Sequence, residues 1–263
     1  MITSTSNPRI KAARKLSQRR HREAQGRLLI EGVRLIRDSW QSGVRPFHLF
    51  YAPQLVRENT GAAQLLAELQ TQGVEALPCS VDVLRTLSET VTPQGLVAVV
   101  PLPTPSLPQH PTLTLVLDQV REPGNAGTLL RTAEAAGVDL VICTPGTVDP
   151  FHEKVLRAGM GAHFRLSLAV CSDWDAVHER LPAGQPRYLA EASATLAYDQ
   201  VAWHEPAVLI VGGEASGAST QLRAQAIPIA IPMQGQAESL NAAIAGAVIL
   251  FEAARQRRQA RQH

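Results

Sequence analysis

Residues 227–251 change their hydrophobic period part-way, and this constrains the fold more than any other feature of the chain. Ile227, Ile229 and Ile231 alternate as in a β-strand, and Pro232, which has no N–H to give a ladder, ends the run. After a polar loop, Leu240, Ile244, Val248 and Phe251 recur at helical spacing, so the reading is a strand over 227–231 and a helix over 239–258. A loop between a strand's carboxyl end and a helix's amino end is where open α/β sheets bind ligands, because unpaired helix N–H groups face it.

The preceding sequence extends this pattern back to residue 112. Apolar strands are expected over 112–117, 140–143, 164–168, 187–190 and 207–211, with helices over 126–136, 154–160 and 175–180 between them. Strands that alternate with helices call for a parallel sheet covered on both faces. Before residue 101 the reading is a smaller α/β module. It has a basic helix over 8–24, strands over 28–31, 47–51, 76–77 and 97–100, and helices over 33–41, 62–72 and 81–88. Between the two, residues 101–111 hold five prolines in eleven positions, a density that gives an extended spacer with no packed core. The expected organisation is residues 1–100, a linker over 101–111, and residues 112–263.

Composition narrows the function. The 263 residues, 45% hydrophobic, suffice for two modest domains with real cores. No run approaches the roughly 20 apolar residues of a membrane span, and the first residues lack the apolar stretch of a signal peptide. Cys79, Cys143 and Cys171 are far apart and form no Cys-x-x-Cys pair, which points to reduced thiols in a cytoplasm and to no zinc site. Neither His152 nor His163 has a second metal ligand at ligand spacing. Residues 1–100 carry 13 basic against 8 acidic side chains, whereas residues 101–263 carry 12 against 15. Arg9, Lys11, Arg14, Lys15, Arg19, Arg20 and Arg22 all precede the first acid, Glu23. Such a run attracts phosphates, although a solvated helix face looks the same in sequence.

Three short segments carry the chemistry. Asn125-Ala126-Gly127-Thr128-Leu129-Leu130-Arg131 follows a strand and enters a helix, which Asn125 is suited to cap. Gly212-Gly213-Glu214-Ala215-Ser216-Gly217 follows the strand 207–211, and its glycines allow a ligand close to the backbone. The third is the strand–loop–helix junction itself, with Ser239 placed to cap the last helix. No Lys-Ser/Thr follows Gly217 and no Gly-x-Gly-x-x-Gly occurs, which disfavours a P-loop hydrolase and a Rossmann-type site.

In order and spacing, over residues 112 to 257, these segments resemble the signature motifs of the SpoU/TrmH family of RNA 2′-O-ribose methyltransferases. The resemblance implies a SPOUT domain whose last strand, loop and helix form a deep trefoil knot. The segments 28–36 and 92–98 also look like those of family members with an N-terminal domain similar to certain RNA-binding ribosomal proteins. By resemblance, Arg131, Asn125, Glu214, Ser239 and Asn241 are active-site residues. Gly212, Gly213, Ile231, Met233 and Leu240 would hold S-adenosylmethionine, and the basic run would hold RNA. Gly213 and Ala215 depart from the usual Asn and Gly. The small residues Ala242, Ala243, Ala245, Gly246 and Ala247 permit close helix packing, and in the family the final helix contributes to a homodimer. A free guanidinium is a poor base, so the expected role of Arg131 is to bind phosphate and ribose and to stabilise a developing alkoxide. The substrate expected is ribosomal RNA, with transfer RNA as the alternative. A non-catalytic RNA-binding protein of the same fold is the rival from another class. The expected enzyme is cytoplasmic, independent of membrane and metal.

Overall fold

A computed structural model describes residues 1–88, 90–104, 106–214 and 217–262. Pro105 of the proline run and Ala215 and Ser216 of the second motif lie outside the described residues.

In chain order the first half contains α1 (Pro8–Lys15), α2 (Arg19–Gln25), β1 (Arg27–Glu31), α3 (Val33–Gln41), β2 (His48–Tyr51), α4 (Pro53–Glu58), α5 (Thr60–Thr71), β3 (Ala76–Pro78), α6 (Val81–Arg85) and β4 (Leu96–Pro101). There follow β5 (Leu113–Asp118), α7 (Pro123–Ala136), β6 (Leu140–Cys143), α8 (Glu153–Gly159), β7 (Leu168–Val170), α9 (Trp174–Arg180), β8 (Arg187–Ala190), β9 (Leu196–Ala197), β10 (Ala207–Gly212), α10 (Thr220–Arg223), β11 (Ile227–Ala230) and α11 (Ala242–Ala260). The chain divides into two compact units. Met1–Pro103 with Phe151–Phe164 form the first, and Thr104–Pro150 with Arg165–His263 the second.

In the first unit the described strands form a sheet ordered β1-β4-β2-β3, antiparallel across β4 and parallel between β2 and β3. Its core joins Leu28, Ile30, Ile36, Leu49, Leu65 and Leu96, and Leu156 of α8 belongs to the same cluster. The helix expected over 8–24 is two helices. The buried Arg22 explains the break, because its guanidinium donates to the carbonyls of Leu16 (3.1 Å) and Ser17 (2.9 Å). A continuous helix would keep those carbonyls for its own ladder. The short α4, β9 and α10 were not expected, and the strand expected at 164–168 is a 3₁₀ turn (Ala162–Phe164) followed by β7.

In the second unit the described strands form the all-parallel sheet that the alternation demands, ordered β7-β6-β5-β10-β8-β11-β9. All six residues of β5 are buried, as befits a central strand covered on both faces. The pairing of β5 with β10 sets Asp118 beside Gly212, so the first two motifs leave the sheet at the same carboxyl edge.

The last helix differs most from its sequence reading. It starts at Ala242, and Asn241, not Ser239, caps it: the Asn241 side chain accepts from the N–H groups of Ala243 (2.9 Å) and Ile244 (3.2 Å). Its buried residues are Ala243, Gly246, Ile249, Leu250 and Ala253, whereas Ile244 and Phe251 are 54% and 53% exposed and Leu240 and Val248 are also exposed. The small residues serve packing inside the chain. A Cβ on Gly246 would stand 2.5 Å from a methyl of Leu129 on α7, so glycine permits the close approach of the two helices. Among the described residues, no helix is long and apolar enough to cross a membrane.

Candidate active site

The three motifs meet through side chains. Asn125 does not cap α7, whose N-cap is Glu122 and whose first turn is set by Pro123. It is the third residue of the helix. There its amide nitrogen donates to Oε1 of Glu214 at 2.5 Å, and its amide oxygen accepts from Nδ2 of Asn241 at 3.0 Å. Asn241 in turn uses its own oxygen to cap α11. One asparagine thus links the end of β10 to the start of the last helix.

A second junction lies beneath it, and the sequence reading assigned it no role. Asp118 is fully buried and accepts from the backbone N–H and hydroxyl of Ser219 (2.6 and 2.7 Å) and from the hydroxyl of Thr144 (2.9 Å). A buried carboxylate holds its place only if hydrogen-bonded in this way, and here it ties the ends of β5 and β6 to the turn after β10. The next residue, Gln119, has φ of 58°, a left-handed conformation rare for a residue with a side chain. Its N–H is held by the hydroxyls of Thr144 (3.2 Å) and Thr147 (3.0 Å), and its carbonyl turns toward Gly213. A Cβ at Gly213 would lie 2.4 Å from that carbonyl oxygen, and one at Gly212 would lie 2.5 Å from the backbone of Gly217 and Ala218. Both glycines are therefore required by the chain's own close approaches. The only sequence signal for Asp118 is an acid closing an otherwise apolar strand.

Beside these junctions is a cavity of about 430 Å³, lined by the ends of β8, β10 and β11 and by the loop that leads into α11. Gly212, Gly213, Glu214, Ile231, Met233, Ser239, Leu240 and Asn241 all line it, so the residues expected to hold a cofactor and three of those expected to be catalytic share one pocket. Glu191 also lines it and forms an ion pair with Arg223 at 2.5 Å on its rim. The volume and the mix of apolar wall and few polar groups suit a nucleoside-sized ligand. Arg131 is not part of this lining. It lies six residues, or roughly 9 Å of helix rise, beyond Asn125 on α7, and it is exposed. Its side chain makes no hydrogen bond or ion pair among the described residues.

The model of the SpoU rRNA methylase family matches residues 112–251. The chain belongs to that family. A model of an MRM3-like substrate binding domain also matches, over residues 7–98. Among the SpoU relatives, the chain is 32% identical to the 23S rRNA (guanosine(2553)-2′-O)-methyltransferase RlmP of Bacillus subtilis over 95% of this chain and 97% of that one. It resembles the AdoMet-bound rRNA methyltransferase of Sinorhizobium meliloti with a TM-score of 0.80 and 32% identity, covering 97% of each chain. The SpoU methyltransferase AviRb of Streptomyces viridochromogenes, also in complex with AdoMet, gives a TM-score of 0.80 at 29% identity, over 96% of this chain and all of that one. Among the described residues, no group of three or more His, Cys, Asp or Glu side chains is arranged to hold a metal ion.

Proposed function

We propose that this chain is an S-adenosylmethionine-dependent RNA 2′-O-ribose methyltransferase whose substrate is ribosomal RNA. The observation that carries the reading is the junction of Asn125, Glu214 and Asn241 at the mouth of a nucleoside-sized cavity. When bound, S-adenosylmethionine supplies an electrophilic methyl group. Apolar Ile231, Met233 and Leu240 are suited to hold its adenine, and Glu214 offers a carboxylate to a cationic ligand. Arg131, with its guanidinium uncommitted, binds the RNA phosphate and the ribose oxygen and stabilises negative charge as the hydroxyl proton leaves.

The reading includes three further elements. Residues 1–100 recognise RNA, residues 101–111 link, and residues 112–263 hold cofactor and chemistry in a knotted SPOUT domain. Of the basic run, Arg22 is committed to backbone carbonyls, while Arg9 and Arg19 pair with Glu75 and Glu23 on the surface. That leaves Lys11, Arg14, Lys15 and Arg20 as the readiest phosphate contacts. The active form is a homodimer formed across the exposed stripe of Leu240, Ile244, Val248 and Phe251. Burying one such side chain contributes about 1.5–3 kcal/mol, and Leu240 belongs to both stripe and cavity. The enzyme works in the cytoplasm, in keeping with three buried, unbridged cysteines.

The test measures S-adenosylmethionine binding by calorimetry in EDTA, then methyl transfer to ribosomal RNA fragments and to bulk transfer RNA. Binding together with 2′-O-methylation of ribosomal RNA is expected. Selective methylation of transfer RNA would overturn the substrate, and no cofactor binding would overturn the enzyme.

A further inference from the structure

The N-terminal unit contains a second cavity of about 560 Å³, larger than the one at the motif junction. Its floor is apolar, built from buried Leu28, Ile30, Leu35, Leu87 and Leu156, and half-buried Phe151 adds part of a ring to the wall. Strand β1 runs along it. This is the edge strand of its sheet and pairs only with β4, so its outer backbone groups have no strand partner among the described residues.

The rim is cationic. Lys11, Arg14 and Lys15 stand at i, i+3 and i+4 of α1, one helix face, and all three line the cavity with Arg157 of α8. No ion pair engages Lys11, Arg14 or Lys15 among the described residues. The carboxylates in the lining are engaged. Glu31 accepts from the hydroxyls of Ser88 (2.5 Å) and Thr90, and Glu153 lies 3.4 Å from Arg157. Lys11, Arg14 and Lys15 are therefore free to meet an external anion.

An apolar floor beside a ring, an open strand edge and a row of free cations match a flat, partly apolar molecule with phosphates at its margin. A bare phosphate has no use for the floor, and an acidic peptide has no flat body to lay on it. We propose that this cavity takes one unpaired nucleotide of the RNA, with its base on the floor beside Phe151 and its flanking phosphates on Lys11, Arg14 and Lys15. Unstacked bases in loops and bulges are what proteins read in RNA, and the β1 edge offers N–H and C=O groups to do so. The proposal rests on the reading that the chain acts on RNA.

The experiment uses the full chain and fluorescein-labelled ten-nucleotide homopolymers of ribo-U, ribo-A and ribo-C, titrated over a range of salt. Combined Lys11→Ala, Arg14→Ala and Lys15→Ala substitutions should lower the slope of log affinity against log salt by about 2, as three lost phosphate contacts would. The same charge removed elsewhere on the unit, by Arg34→Ala, Arg57→Ala and Arg85→Ala together, should leave the slope nearly unchanged. Phe151→Leu keeps the packing, loses the ring and should weaken binding about tenfold. Oligonucleotides carrying 4-thiouridine should cross-link to peptides containing residues 28–31 or 151–157. Equal losses in the two triple variants, cross-links confined to other segments, or a free mononucleotide binding as tightly as the oligonucleotides would overturn the cavity. If these failures came with intact methyl transfer to RNA, the enzyme reading would stand. A wild-type chain that neither binds nor methylates RNA would remove both.

Discussion

Asn125 and Asn241, 116 residues apart in sequence, are joined by a hydrogen bond of 3.0 Å, and the second of them caps the last helix. The two asparagines have separable roles. Replacing Asn241 with Ala removes a helix cap and a wall of the cavity, so stability should fall by about 1 kcal/mol and cofactor affinity should fall with it. Replacing Asn125 with Ala leaves the cap in place, so thermal unfolding should shift less while methyl transfer drops. Calorimetry and melting curves on both variants check this. Equal melting losses would mean that Asn125 is structural as well.

Arg131 is exposed on α7 and does not line the cavity, so Arg131→Ala should keep cofactor affinity within about threefold. Removing one donor aimed at developing charge commonly costs about 10²–10³ in rate, and that loss is expected in single-turnover methyl transfer. Activity within threefold of the wild type would reduce the arginine to a surface residue.

Gly213 stands where the family resemblance implies Asn, and its missing Cβ makes room for the Gln119 carbonyl. The contact at 2.4 Å is with backbone, not a flexible side chain, so Gly213→Asn should destabilise the fold by about 1–3 kcal/mol despite restoring the family residue. Urea denaturation measures it. An unchanged midpoint would show that the Gln119 peptide can turn away at no cost.

Among the described residues, the apolar stripe on α11 is left exposed, most of all at Ile244 and Phe251. Ile244→Asp with Phe251→Asp should shift a dimer to monomer in sedimentation velocity at micromolar concentration, with little change in the melting of the single chain. A wild-type chain that sediments as a fully active monomer would refute the dimer.

Asp139 lies at the start of β6 and accepts from the N–H groups of Thr112 and Leu113 and the hydroxyl of Thr112. Burial pushes its pKa up, but these donors, with Arg257 nearby, outweigh that and hold it below the usual carboxylate range. A depressed folded-state pKa contributes stability above the unfolded value of about 3.9 that is lost as the pH falls through the folded one. Asp139→Asn should therefore unfold more easily at pH 7, and the gap from the wild type should close below about pH 4. A gap independent of pH would assign the effect to packing.

Much of this molecule was determined by local sequence. The alternation of apolar runs with helical periods after residue 112 dictates a parallel sheet, because neither element can bury its apolar face alone. The order of the three motifs places Gly212, Ile231, Met233 and Leu240 at one sheet edge, and there they line one cavity. What sequence left open was decided by contacts between distant residues. Asn125 looks like a helix cap, and only the arrival of Glu214 and Asn241, 89 and 116 residues away, makes it a bridge. Arg22 looks like one more cation in a basic run until the turn of the chain at residues 16–18 presents carbonyls to it. Periodicity marks α11 as apolar on one side, yet the side it buries carries Ala243, Gly246 and Ala253 beside Ile249 and Leu250, because at Gly246 the missing Cβ lets it lie close to α7. A sequence states which faces avoid water. Which of them turns inward depends on the shape of the partner, and that exists only in the folded chain.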